Sequence, residues 1–219
     1  MSFLSTLRRN PSAGLLGVQL LGLLLYPFMV ASPSGRTLFG IFGLIVLGVA
    51  LWVVRRSPWL TWLGLLLAVP VIALSIITLV QPDPGLRATA ALLEAAFYFY
   101  ATGSLIAYML QDDVATTDEL FAAGATFTLL AWAFAYAFVA CETLIPGSFS
   151  GPDAGPRTWL QLLYLSVAVL SSVGLSDILP VTPMARGLVM IASFAGIMYI
   201  AVIVSRLIGL TVATVRTRR

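Results

Sequence analysis

Tyr164-Leu-Ser-Val-Ala-Val-Leu-Ser-Ser-Val-Gly-Leu-Ser-Asp-Ile-Leu-Pro-Val-Thr-Pro-Met-Ala-Arg186 begins as an apolar helix, breaks at Gly174 into a small, polar, turn-prone run around Ser176 and Asp177, and restarts as a long apolar helix. From Thr158 to Leu170 the first helix measures roughly 20 Å at 1.5 Å per residue, enough to reach the middle of a bilayer and no farther. A short helix, a polar break and a spanning helix read as a re-entrant loop, because irregular backbone survives at membrane depth only against protein or water. The stretch is therefore a candidate pore.

Working outward, the composition names the solvent. Of the residues, 60% are hydrophobic and 10% charged, and the mean hydropathy is +1.01. Apolar runs of about twenty residues recur from end to end, as in an integral membrane protein. The 12 basic residues are all arginine, there is no histidine, and the net charge is only +3. That balance fits membrane orientation, whereas a nucleic-acid surface needs a clustered basic face in a soluble domain. Cys141 is the single cysteine, which excludes an internal disulfide and a cysteine-based zinc site. Without histidine or lysine the usual hydrolytic and metal constellations are missing, so an enzyme is not expected.

In chain order the sequence reads as six spans and one re-entrant segment. Residues 1–12 form an N-terminus with Arg8 and Arg9, and the first span, 13–32, is read as a retained helix and not a cleaved signal. Ser32-Pro-Ser-Gly-Arg36 closes it. The second span runs from Thr37 to Val54 and stops at Arg55-Arg56; the third follows Pro58, with Trp59 and Trp62 at its interface end, and reaches Val80. Gln81-Pro-Asp-Pro-Gly85 is the next break, and the fourth span, 87–110, carries Glu94. A carboxyl at membrane depth is either an ion or proton site or a hydrogen-bonded tie between helices. Arg87 stands alone on this span, so residues 13–110 lack the arginine ladder of a voltage sensor.

The linker 111–117 leads into a fifth span, 118–145, where Thr116 and Glu119 fit a capping box. Glu142 lies near its far end, at an outer mouth or snorkelling to water. A Gly- and Pro-rich loop, 146–157, delivers the chain to the opening stretch, and Pro156 suits a first helical turn. The sixth span is 184–210, and 211–219 form a tail. With the N-terminus in the cytoplasm, eight arginines (Arg8, Arg9, Arg55, Arg56, Arg206, Arg216, Arg218, Arg219) fall inside and four (Arg36, Arg87, Arg157, Arg186) outside. This obeys the positive-inside rule and gives a multi-pass cell-membrane protein with both termini cytoplasmic.

Residues 118–210 resemble the pore module of the tetrameric potassium channel superfamily, whose signature reads Thr-Thr-Val-Gly-Tyr-Gly-Asp, followed by Pro-Val-Thr and an arginine. Ser171 and Ser172 stand at the threonines, Val173 and Gly174 match, Leu175 replaces the tyrosine, Ser176 replaces the second glycine, and Asp177 matches. Pro180, Val181, Thr182 and Arg186 are in register, and Gly196 stands where these channels often carry an inner-helix hinge, a bare glycine being equally suited to close helix packing. The resemblance implies an all-α membrane fold of six helices, with outer helix 118–145, turret 146–157, pore helix 158–170, filter 171–177 and inner helix 184–210, assembled as a homotetramer in the lipid bilayer.

By the same resemblance, a monovalent cation, K⁺ or Na⁺, meets the carbonyls of Ser172, Val173, Gly174 and Leu175, with the Ser172 hydroxyl at the innermost site. Asp177 forms a ring at the outer mouth, braced by the Tyr164 hydroxyl. In the family both glycines of the filter favour positive φ, so Ser176 is expected either to carry backbone strain or to leave the outer filter wider, collapsed or differently folded. Leu175 cannot make the tyrosine's hydrogen bond. Selectivity weaker than that of an intact signature is therefore expected. Arg206 is either a ring of charge at the cytoplasmic gate or an interface anchor. No cofactor and no nucleic-acid partner are implied, and the short tail leaves no room in this chain for a cytoplasmic ligand-sensing domain. The other reading is a channel-like structural or regulatory protein that does not conduct. A transporter would need a second broken segment, which the sequence lacks.

Overall fold

The structure, a computed structural model, describes residues 10–30, 33–54, 61–80, 83–111, 116–152 and 154–210. These are mostly helical: α1 (Pro11–Val30), α2 (Pro33–Val54), α3 (Thr61–Val80), α4 (Pro84–Met109), α5 (Thr117–Leu144), α6 (Trp159–Leu170) and α7 (Pro183–Tyr199). Two short strands, β1 (Phe149–Ser150) and β2 (Leu179–Pro180), pair antiparallel. Beyond Tyr199 the last helix passes through a π-helical turn, Ile200–Val204, and continues to Leu210. Arg8, Arg9, Arg55, Arg56, Arg216, Arg218 and Arg219, on which the orientation rests, lie outside the described residues, as do Pro58, Trp59 and the middle of the acidic linker.

Prolines decide where several helices start. Pro11, Pro33, Pro84 and Pro183 each open a helix, because the first helical N–H has no partner to lose and the ring already holds the helical φ. The breaks read at residues 32–36 and 81–85 are accordingly shorter than the sequence predicts. Pro70, in contrast, sits inside α3, where it removes one helical hydrogen bond.

Among the described residues, three helices are long and apolar enough to cross a membrane: α4, α5 and Pro183–Leu210. They correspond to the last three spans read from the sequence. Pro11–Leu25, Trp62–Thr78 and α6 are shorter apolar helices. The best-buried long helix is α5, with 67% of its apolar window covered, against 22% for Pro183–Leu210. The covered stripe of α7 is narrow and mostly small, comprising Ala185, Ala192, Gly196 and Tyr199. Met190, Ile191, Phe194 and Ile197 project from it uncovered.

The chain divides into two compact units. The first comprises residues 1–68, 101–128 and 206–219. In it, Asp118 accepts from Ser12 N at 3.1 Å and Ser12 Oγ at 3.0 Å, satisfying an orphan N–H in the first turn of α1. The Tyr108 hydroxyl donates to the same carboxylate at 3.4 Å. Thr116 and Glu119 form the capping box at the start of α5, with N–H to oxygen distances of 2.9 and 3.2 Å. Arg206 Nη1 donates to the carbonyl of Met109, the last residue of α4, where a cation is favoured by the helix dipole.

The second unit, residues 69–100 and 129–205, holds the short helix α6 and the loop that follows it. Here Ser75 Oγ on α3 donates to Glu94 Oε1 on α4 at 3.3 Å. The tie reading of Glu94 thus has a named partner.

A braced loop between a short helix and the inner helix

The short helix α6 is started by its own sequence. Thr158 is the N-cap: its Oγ1 accepts from Gln161 N at 3.4 Å, and the Gln161 side chain accepts from Thr158 N at 2.9 Å. The pair forms a reciprocal capping box that satisfies two donors. Pro156 lies outside the helix, ahead of this cap, and not in its first turn.

Aromatic rings seat the first turn of α6. Trp159 meets Trp132 edge-on at 5.2 Å and Tyr136 at 5.8 Å. Tyr98 of α4 stacks on Tyr136 at 5.5 Å and meets Trp132 at 5.6 Å. Such pairs contribute about 0.5–1.5 kcal/mol each beyond their buried area. Farther along α6, buried Ser166 donates through Oγ to the Ala131 carbonyl of α5 at 2.9 Å.

The helix ends in a left-handed cap. Ser172, one residue past the C-cap, has φ 61° and donates N–H to Val169 O at 3.1 Å. Gly174, at φ 69°, donates to Ala168 O at 2.9 Å, and Ser171 Oγ bonds the same carbonyl at 3.3 Å. These bonds fix the first part of the loop to the carbonyl terminus of α6, which carries the negative end of the helix dipole. Ser172, Val173, Gly174 and Leu175 are all exposed in the chain.

Of the alternatives open at Ser176, the structure has the loop folded differently from the family's pattern and without left-handed strain there. Ser172 is the one non-glycine residue with positive φ among those described, and Ser176 is not left-handed. Ser176 Oγ instead accepts from Ile178 N at 3.1 Å. A side-chain oxygen that takes a backbone N–H two residues on favours a local turn, a choice open to serine and closed to glycine.

The far end of the loop is clamped by α5 and residues 148–150. Glu142, read from the sequence as an outer-mouth or snorkelling group, is buried, and its Oε2 accepts from Phe149 N at 3.1 Å. Phe149 opposes Pro180, and Ser150 opposes Leu179. Val181 N donates to Ser148 O at 2.9 Å, and Thr182 Oγ1 donates to Ser148 Oγ at 3.0 Å. Thr182 also caps α7, and Arg186 Nε reaches Pro180 O at 3.4 Å. Between the clamps Ile178 is fully buried; a Cβ on Gly151 would lie 2.6 Å from its Cδ1.

Gly196 has a packing role. A Cβ there would lie 2.1 Å from the Leu170 carbonyl oxygen and 2.6 Å from Leu170 Cα, so the inner helix touches the end of α6 backbone to backbone. The irregular hydrogen bonding of this helix lies beyond, at Ile200–Val204. Asp177 is exposed, and Tyr164 is half exposed. Among the hydrogen bonds of the described residues, none joins these two. No cluster of acids or cysteines able to hold a resident metal occurs among the described residues.

Some of these contacts have no sequence signal, because Gly196 meets a residue far away in the chain and the strand pair is too short to show alternation. Others have one: Thr158-x-x-Gln161 is a capping-box pattern, and Ser176-x-Ile178 is a serine-turn pattern.

A family model described as an ion channel matches residues 95–213, which include α5, the braced loop and the inner helix. No curated protein and no solved structure gives a match. With more than half of its length inside that family model, the chain belongs to the ion channel family and is a member of the potassium channel superfamily.

Proposed function

We propose that four copies of this chain surround a pore that passes monovalent cations, K⁺ or Na⁺, passively across the cell membrane, with weakened preference for K⁺. The observation that carries this reading is the exposed run Ser172–Leu175, in which every second backbone, Ser172 and Gly174, is left-handed. Alternating handedness turns successive peptide units alternately, and in a ring of copies it favours stacked carbonyls that replace an ion's water shell. The run begins at the negative end of α6, which lowers the cost of holding a cation.

The uncovered apolar face of the inner helix supports assembly with further copies in a bilayer. Asp177, exposed at the far end of the run, supplies a ring of carboxylates that concentrates cations. In this reading the first three helices join the last three as six spans, with both termini cytoplasmic and no cofactor. Selectivity weakens because the alternation stops at Ser176, leaving fewer carbonyls in the stack.

That same stop favours a second reading, in which the loop does not conduct and the assembly is structural or regulatory. One experiment separates the two. Purified protein in liposomes is offered K⁺, Na⁺ and Ca²⁺ gradients in parallel; flux of the monovalent ions with K⁺ over Na⁺ below tenfold is expected, and absence of all flux establishes the second reading.

A further inference from the structure

We propose that the Ser176 hydroxyl is a positioning group that fixes the outer end of the ion path and thereby sets how well this chain discriminates cations. The inference rests on the pore reading above and assigns selectivity to a side chain within it. Its basis is the contrast between the two ends of the loop. The inner end is held by backbone bonds to α6 through Ser172 and Gly174, both left-handed. The outer end breaks that pattern at Ser176, where Oγ takes the Ile178 N–H at 3.1 Å.

Ile178 is anchored at the far side of this turn. Its side chain is fully buried and lies against Gly151, and its neighbour Leu179 is paired to Ser150 in the β1–β2 clamp. The hydroxyl therefore ties an exposed, ion-facing run to a fixed point. With the tie in place residues 175–177 hold one conformation; without it, nothing local prevents them from sampling several. The chain's own substitute for a longer filter is thus a side-chain turn.

The test compares wild type, Ser176→Ala and Ser176→Thr as assembled protein. Two readouts are taken: hydrogen exchange at the Ile178 amide, and the K⁺ to Na⁺ permeability ratio from reversal potentials under bi-ionic conditions. Loss of one neutral hydrogen bond should speed exchange about fivefold in Ser176→Ala, and the permeability ratio should move toward one. Threonine keeps the oxygen and should restore both values. Unchanged exchange in Ser176→Ala overturns the tie. Faster exchange with an unmoved ratio overturns the positioning role and leaves a purely structural bond. A wild-type protein that passes no ions refutes the pore reading and this inference together, a result distinct from a conducting wild type whose variants do not differ.

Discussion

Replacing Gly196 by alanine tests with a single sign whether that glycine serves packing or bending. The added Cβ would stand 2.1 Å from Leu170 O, 2.6 Å from Leu170 Cα and 2.7 Å from its carbonyl carbon. Carbon and oxygen ordinarily approach no closer than about 3.3 Å, so the end of α6 must retreat by more than about 1 Å. The obstacle is backbone, which no rotamer change relieves. Overpacking of this kind costs about 1–3 kcal/mol, and alanine's better helix propensity returns up to about 1 kcal/mol. With alanine's full gain subtracted, a net loss of up to about 2 kcal/mol per chain lowers the midpoint by up to about 8 °C for a chain of this size. Gly209 on the same helix has nothing within 4 Å of a Cβ, and Gly209→Ala should be neutral or raise the midpoint slightly. Thermal unfolding in nanodiscs followed by tryptophan fluorescence measures both. If Gly196 were only a flexible joint, Gly196→Ala would stabilise the helix by about 1 kcal/mol; a midpoint at or above that of wild type refutes the packing argument.

Further outcomes follow from the same geometry. Ser172→Gly relieves a left-handed serine and should stabilise each chain by about 1 kcal/mol in thermal unfolding, whereas Ser172→Ala keeps the strain and should not. Glu142→Ala leaves the buried Phe149 N–H without its acceptor and should cost about 1–3 kcal/mol, while Glu142→Gln, which retains a carbonyl oxygen, should lose well under half of that. Glu94→Gln preserves an acceptor for Ser75 and should leave stability within about 0.5 kcal/mol and cation flux at wild-type rate; loss of flux in this variant would mark the carboxylate as an ion site.

The position of the loop was legible in the sequence, and its conformation was not. A short apolar helix, Val173-Gly174 and Asp177, and the Pro180 to Arg186 run are local patterns, and they identify where the loop lies between the two helices. The handedness of Ser172 and Ser176 depends on which carbonyls and amides lie opposite, and those belong to α6 and to the β1–β2 clamp. Serine permits either outcome, so the resemblance left strain and a different fold both open at Ser176 and gave no sign of the left-handed Ser172. Glu142 illustrates the same limit: a carboxylate near a helix end reads as a surface group until the turret strand that covers it is known. The π turn at Ile200–Val204 is invisible for another reason, because five apolar residues of that kind suit an α-helix equally well. Helix starts were also misjudged where proline was taken as a terminator; in α2 and α4 it is the first helical residue.

The indole pair at the start of α6 gives the molecule a built-in optical signal. Trp132 belongs to α5 and Trp159 to the short helix, and their rings meet at 5.2 Å and 86°. At such separations the transitions of two indoles mix, and the near-ultraviolet circular dichroism of the pair depends on their mutual angle. Only docking of the short helix brings these two chromophores together, so their coupled signal reports that docking without any label. The spectrum of a detergent-solubilised sample can thus be compared with that of a bilayer sample to ask whether extraction leaves the short helix in its seat.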